Sequence, residues 1–196
     1  MTGHESLREL TGRIQSDVSI GNLLMNEDDD NPSWPAFLID LDLAVKENRD
    51  NPSGAANKTG TRAFMSIRAL DGEKKTFMDD LESIFWLLFW ICIHYTGPNG
   101  VGRVVPEFES WNYEYTSRLA VIKFGTVIEE RRFIRTVTKH FTPYFRPLIP
   151  WVNRLRKTVF PDGKTHERED RELYSRMRGV LRKAMDDHDV KAGWTG

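Results

Sequence analysis

The sequence predicts a mainly α-helical fold with one small β-hairpin, and two stretches of the chain carry this prediction. Residues 79–95, read DDLESIFWLLFWICIHY, have no polar stripe, so a helix formed by them has to be buried. The apolar runs 23–25 and 36–39 flank NEDDDNPSWP, whose turn-forming residues favour an antiparallel hairpin. Repeated strand–helix–strand units are not seen in the pattern, which argues against a parallel sheet.

The run at residues 79–95 is expected to be the central helix of the fold. It is shorter than the ~20 apolar residues that span a bilayer and it opens on two aspartates, so it predicts the core of a soluble domain. Asp79 is expected to cap the first turn, while Glu82 reaches back to the cap amide. Gly97 and Pro98 are expected to stop the chain from continuing as a helix.

Weaker patterns predict the remaining elements. The box Thr126-x-x-Glu129 is expected to start a helix that ends before Pro143. Residues 46–61 contain almost no large apolar side chain and are predicted to be a mobile surface segment. The tail after Asp187 is expected to fray. Four further helices are predicted at residues 4–10 (stopped by Gly12), 111–124 (stopped by Gly125), 151–159 and 168–185.

Composition limits the classes of partner and the compartment. With 196 residues and 39% hydrophobic content, the chain can bury one good-sized core. Its 28 basic and 29 acidic residues give a net charge of -1, which disfavours nucleic acid and anionic membranes as partners. The single cysteine, Cys92, lies in the apolar run and cannot form a disulfide within the chain, which fits a reducing compartment. We therefore expect a soluble intracellular protein, with cytoplasm and nucleus not distinguished.

The residues most suited to chemistry are Asp17, Asn22 and Asp40. Asp17 and Asn22 form a D-x-x-x-x-N pattern, and the hairpin that follows brings Asn22 next to Asp40. Phosphoryl transfer needs one carboxylate that accepts the proton of the attacking hydroxyl, together with a carboxylate and an amide oxygen that hold Mg²⁺. Asp17 suits the first role and the other two suit the second. The structural alternative for Asp17 and Asn22 is a capped turn without a metal.

Longer segments of the chain resemble the fungal-type protein kinase family, a divergent branch of the eukaryotic protein kinases. The resemblance extends from His4 to about Val190. The segments that carry it are QSDVSIGNLLMNEDDDNPSWPAFLIDLDLA, KTGTRAFMSI, FMDDLESIFWLLFWICIHY, GRVVPEFESWNY and FTPYFRPLIPWVNRLRK.

The resemblance implies a kinase C-terminal lobe over residues 1–190, followed by a frayed tail at 191–196. The central helix would be its buried organising helix, with Asp80 bracing the catalytic loop. ATP and Mg²⁺ would be the cofactors, and the substrate would be a Ser or Thr of a protein. The implied parts are a catalytic loop at 15–22, a magnesium-site hairpin at 22–42, an activation segment at 40–68 that includes residues 46–61, and the central helix at 79–95.

The resemblance also implies roles for single residues. Asp17 would be the catalytic aspartate, with Thr61 near it, and Asp40 and Asn22 would be the magnesium ligands. Leu24 would form the floor of the adenine pocket.

The sequence departs from the general kinase pattern at several of these places. Gln15 and Ser16 replace the usual His-Arg before the catalytic aspartate, which removes an Arg that commonly reads a phosphorylated activation loop. Ser19 takes the place of a phosphate-contacting Lys. Asp42 replaces the glycine after the magnesium aspartate, and residues 66–68, Ser-Ile-Arg, replace Ala-Pro-Glu.

No glycine-rich loop and no Lys-bearing strand precede Asp17. The lobe that would cover ATP is therefore expected to be missing from the chain or supplied separately, so catalysis by this chain alone is left open. One alternative is a pseudokinase lobe that binds another protein. Another is a haloacid-dehalogenase-like phosphatase, in which Asp40 of the D-x-D pattern is the nucleophile and Asp42 the general acid.

Overall fold

The computed structural model describes residues 1–26, 36–47, 60–98, 100 and 102–194. The described part is mainly helical with a small antiparallel hairpin, as the sequence predicts, and it also contains a second two-stranded antiparallel sheet that was not predicted. The strands are β1 (Arg13–Ile14), β2 (Leu23–Met25), β3 (Ala36–Leu38) and β4 (Val45–Lys46). The helices are α1 (Thr2–Thr11), α2 (Ile67–Leu70), α3 (Phe77–His94), α4 (Pro106–Glu109), α5 (Thr116–Val127), α6 (Glu130–His140), α7 (Ile149–Val159), α8 (Leu173–Asp186) and α9 (His188–Trp194).

Helix α3 is the buried central helix that the apolar run predicts. Fifteen of its 18 residues are buried, including the two aspartates of its first turn. Phe89 is fully buried and has aromatic neighbours on every side. Its ring stacks on Trp111 with centroids 6.0 Å apart and meets Phe108, Phe133 and Phe141 at 5.5–6.1 Å. Burial of this aromatic cluster is the main driving force that organises the surrounding helices.

The start of α3 differs from the prediction. Thr76 is the N-cap, and it forms a capping box with Asp79, whose carboxylate accepts the Thr76 backbone N–H at 2.7 Å. Asp79 is therefore the third residue of the helix and not its cap. The Glu82 carboxylate contacts other groups, described below, because the shorter Asp79 already satisfies the cap amide.

The predicted helix end at Gly125 and the predicted helix start at Thr126 were wrong. Helix α5 continues through Gly125 to Val127, because one glycine weakens a packed helix without ending it. The Thr126 hydroxyl donates to the Ile122 carbonyl within α5 at 2.8 Å and caps nothing. Helix α6 starts after Glu129, which makes no side-chain cap.

The ends of the described chain are helical. Helix α1 stops at Gly12 as predicted, since this residue has a φ of 64°, in the left-handed region that favours glycine. The segment after Asp187, predicted to fray, forms α9, and the side chain of Val190 is fully buried. Among the residues described, no helix is long and apolar enough to cross a membrane.

Truncation of Phe89 tests whether α3 is the stabilising centre. Phe89→Ala should lower the free energy of unfolding by about 3–5 kcal/mol, because it leaves a cavity in the aromatic cluster. Val121→Ala on α5, where the side chain is 71% exposed, is the control and should change it by less than about 0.5 kcal/mol. Urea denaturation gives both values, and similar losses for the two variants would contradict this role of α3.

Candidate active site

Two antiparallel strand pairs bring the loop 15–22 and the loop 39–44 together. Strand β1 pairs with β4 on one side of these loops, and β2 pairs with β3 on the other. Each loop connects one strand of the first pair to one strand of the second pair. The two loops therefore have to lie against each other. Between the ladders, the Asn22 carbonyl accepts the Ile39 N–H at 3.0 Å.

Gln15 adds a side-chain connection between the same two loops. Its side chain is fully buried, and its amide nitrogen donates to the Ile39 carbonyl at 2.8 Å and to the Asp40 carbonyl at 3.2 Å. The residue before Ser16 thus fixes the backbone on which Asp40 stands. No sequence pattern indicated this contact, because the two loops are separated by 24 residues in the chain.

The carboxylate of Asp17 is held by two residues. Its Oδ1 accepts the backbone N–H of Thr61 at 2.9 Å and the Thr61 hydroxyl at 3.2 Å. The amide nitrogen of Asn22 donates to the Asp17 carbonyl at 2.8 Å and to its Oδ2 at 3.3 Å. The predicted proximity of Thr61 and Asp17 is therefore present. Since the nitrogen of Asn22 faces Asp17, the amide oxygen is the atom that a cation would use.

Asp40 lies at the open end of the hairpin, one residue beyond Ile39. It is exposed and has a φ of 56°, a left-handed conformation that Asp tolerates better than most residues. Its Oδ1 accepts the Asp42 backbone N–H at 3.3 Å, which fixes the carboxylate locally. The described residues contain no cluster of three or more His, Cys, Asp or Glu side chains able to hold a metal. An Asn–Asp pair would suit Mg²⁺ if nucleotide phosphates and water supplied the remaining ligands.

Asp80 of α3 braces the loop that carries Asp17. Both of its carboxylate oxygens accept the Ser16 N–H at 3.1 Å, and Oδ2 also contacts His4 Nε2 at 2.7 Å. The other ring nitrogen of His4 contacts the Tyr174 hydroxyl at 2.6 Å. The brace implied by the resemblance is confirmed. His4 was missed, because a lone histidine at the start of the chain carries no visible spacing signal.

Gly60 is a second residue that sequence reasoning missed. It has a φ of 120°, and a Cβ added to it would lie 3.1 Å from the Ser16 carbonyl and 3.5 Å from Asp17 Oδ1. Only glycine lets the chain pass this close to Asp17 and present the Thr61 N–H. Thr61 was expected to lie near Asp17, so a glycine directly before Thr61 is the signal that could have identified Gly60.

The remaining predicted positions surround this centre. Ser19 is buried, and Leu24 on β2 is 52% exposed. Of the predicted activation segment, residues 48–59 lie outside the described part of the chain. Arg68 is the last residue of the predicted activation segment. It donates to the His166 carbonyl at 3.2 Å and forms a salt bridge with Glu73. The residue that replaces the Glu of Ala-Pro-Glu therefore places a positive charge against the loop before α8.

Glu82 and Lys123 are both buried, and each binds the chain between Met65 and Ile67. Glu82 Oε1 accepts the Ile67 N–H at 2.7 Å, and Lys123 Nζ donates to the Met65 carbonyl at 2.6 Å. Burial raises the pKa of Glu82 to about 7 and lowers the pKa of Lys123 to about 7, while the opposite charge of each partner acts against these shifts.

In this mainly helical chain, an aspartate–asparagine loop meets an aspartate-ended hairpin beside a buried helix. A family model described as fungal protein kinase matches residues 1–92, which include Asp17, Asn22, Asp40 and Asp80. The match indicates a kinase-like domain in this part of the chain. The match ends within α3, so the resemblance beyond it stays a prediction. No curated protein matches the chain.

Removal of Lys123 should make stability depend on pH through Glu82. In Lys123→Met, the folded-state pKa of Glu82 is expected to lie at or above about 7, higher than in the unfolded chain. The folded state then binds the proton more tightly, so stability falls as pH rises from the unfolded-state pKa of about 4.3 towards the folded-state pKa. Between pH 5 and pH 8 the free energy of unfolding of this variant should fall by about 2–4 kcal/mol.

The matched control is Glu82→Gln/Lys123→Met, which removes both charges and should abolish this pH dependence. Urea denaturation at pH 5 and pH 8 measures the difference. An equal loss at both pH values in the single variant would show that Glu82 is not a buried, perturbed carboxyl.

Proposed function

We propose that this chain carries the catalytic residues of a protein serine/threonine kinase that uses ATP and Mg²⁺. The observation that supports the proposal best is the contact of Asp17 with both Thr61 and Asn22, in a loop tied to Asp40 by Gln15 and Ile39. The fungal protein kinase match over residues 1–92 agrees with this class. We also propose that the substrate is a protein Ser or Thr and that another lobe covers ATP.

Asp17 is the general base in this proposal. Its carboxylate is half-buried and anchored through Oδ1, so its direction is fixed before substrate binds. It accepts the proton of the substrate hydroxyl as that oxygen attacks the γ-phosphorus, while the bond from this phosphorus to the ADP oxygen breaks. Thr61 contributes by orienting Asp17 on the side of the activation segment.

Asn22 and Asp40 would hold Mg²⁺ through an amide oxygen and a carboxylate, and the ion would neutralise charge on the phosphates. Leu24, exposed on β2, offers an apolar surface for the adenine ring. Ser19 is uncharged, so the usual phosphate-contacting cation is not supplied from its position. The covering lobe would have to come from a preceding part of a longer chain or from a separate protein.

A protein-binding pseudokinase lobe is the second candidate function, and one observation favours it. An apolar groove runs between α1 and β3, with the side chain of Leu10 84% exposed and those of Phe37 and Leu41 39% and 45% exposed. Such a surface is typical of a site that another protein covers. The phosphatase alternative gains no comparable support, because the described strands form only two-stranded antiparallel sheets.

Three aspartate variants separate these functions. Asp17→Asn should reduce phosphate transfer to a Ser/Thr peptide by at least about 10²-fold, because the amide cannot accept the proton. Asp40→Asn should raise the Mg²⁺ concentration needed for transfer. Asp42→Asn is the matched control, since its backbone and not its side chain contacts Asp40. Transfer of ³²P from ATP measures all three. Full activity in Asp17→Asn, together with loss of activity in both Asp40→Asn and Asp42→Asn, would favour a mechanism that uses the Asp40-x-Asp42 pair.

Nucleotide binding distinguishes an active lobe from a binding module. With Mg²⁺·ATP at about 100 times its dissociation constant, the folded chain should gain about 2.7 kcal/mol, visible as a raised melting temperature. Asp40→Asn should diminish this shift, while Asp17→Asn should retain it. An unshifted melting temperature together with no transfer by the unmodified chain would support the pseudokinase candidate.

A further inference from the structure

Ser16, the residue before Asp17, has both of its backbone polar groups bound by side chains at or just before the start of α3. Its N–H donates to Asp80, as described above, and its carbonyl oxygen accepts a hydrogen bond from Lys75 Nζ at 2.8 Å. Lys75 lies two residues before the first residue of α3 and is only 7% exposed. The peptide groups on both sides of Ser16 are thus bound by α3 and by the segment directly before it.

Ser16 needs such support because its backbone is strained. Its φ of 68° lies in the left-handed region, which costs free energy for a residue with a Cβ. Its buried hydroxyl has no hydrogen-bond partner among the described residues, so its own side chain does not compensate for the strain. The conformation therefore depends on the contacts of the Ser16 backbone, and the direction of Asp17 depends on that conformation.

Lys75 is also placed to act on the charge of the site. It lines the same small cavity as Asp17, Thr61 and Asp80. Burial lowers the pKa of Lys75, while the carboxylates of Asp80, Asp79 and Asp17 favour its charged form. Ser16 and Ser19 stand where the general kinase pattern carries cations. The buried Lys75 brings a positive charge to this loop through its contact with the Ser16 carbonyl.

We infer that Lys75 is a positioning residue for Asp17, acting through the carbonyl of Ser16. Its ammonium group and the Asp80 carboxylate together hold Ser16 in the left-handed conformation that aims the Asp17 carboxylate. The catalytic consequence rests on the proposed function, whereas the holding of the loop does not.

Hydrogen exchange tests the holding of the loop without any need for activity. Lys75→Met should speed amide exchange in the peptide that covers residues 15–22 by about tenfold, a coupling typical of residues in contact. Lys74→Met is the matched control, because it removes the same charge from the adjacent, exposed position. Peptides from residues 81–92 of α3 should exchange equally in all variants.

A second-site variant distinguishes positioning from a general loss of stability. Ser16→Gly removes the left-handed strain and a hydroxyl without a described partner, so it should restore most of the loop protection to Lys75→Met. If Lys75→Met alone does not fold, the double variant should fold with the loop protected as in Ser16→Gly. Equal exchange in Lys75→Met and Lys74→Met, or no rescue by Ser16→Gly, would overturn the inference.

Kinetics test the catalytic consequence. Lys75→Met should lower kcat by about 10²-fold, as expected for a misaimed base, while the KM for ATP stays unchanged, because positioning acts on the base and not on nucleotide binding. Ser16→Gly should recover part of kcat in the same background. A raised KM with kcat unchanged would contradict positioning. Absence of transfer by the unmodified chain would instead count against the proposed function, and the exchange comparison would still decide the role of Lys75.

Discussion

The buried carboxylate of Asp80 is the contact on which the rest of the candidate site depends. It is 2% exposed, and its oxygens face the Ser16 N–H and the His4 ring. Loss of one partner from such a buried charged contact typically costs about 3–5 kcal/mol, because the other group is left unpaired in the core. The loop that carries Asp17 is thereby attached to α3, the most deeply buried element of the fold.

The two strand pairs extend this attachment to Asp40. Pairs β1–β4 and β2–β3 are too short to be stable alone, and each depends on the helices against which it lies. Together they hold the loops 15–22 and 39–44 next to each other. The Gln15 side chain also connects the two loops by hydrogen bonds to the carbonyls of Ile39 and Asp40. The relative position of the two loops therefore depends on the two strand pairs and on the helices that support them.

The parts of the site that the sequence predicted are those with a local signal. The apolar run of α3 and the hairpin of β2 and β3 follow from residue patterns within a few turns of chain. The D-x-x-x-x-N spacing selected Asp17 and Asn22, and the resemblance added Asp80 and Thr61. Asp80 and Thr61 contact residues 64 and 44 positions away in the sequence, so the resemblance indicated them and no local pattern did.

The parts that were missed depend on tertiary contacts. Glu82 has the correct spacing for a capping residue, but its carboxylate instead accepts hydrogen bonds from the Ile67 N–H at 2.7 Å and the Trp86 ring N–H at 2.9 Å. Thr126 likewise fits a capping box, yet α5 continues through it because that helix is packed on both sides of Gly125. His4 acquires its role only when α1 meets Asp80. Single-residue patterns cannot anticipate such contacts, since their partners lie tens of residues away.

The central claim is that Asp17, Asn22 and Asp40 converge on one spot beside α3, and paramagnetic broadening by Mn²⁺·ATP tests it most directly. Amide resonances of residues 17–22 and 38–42 should broaden selectively when Mn²⁺ replaces Mg²⁺, while those of α6 keep their intensity. Broadening centred elsewhere, or spread evenly over the chain, would contradict the account.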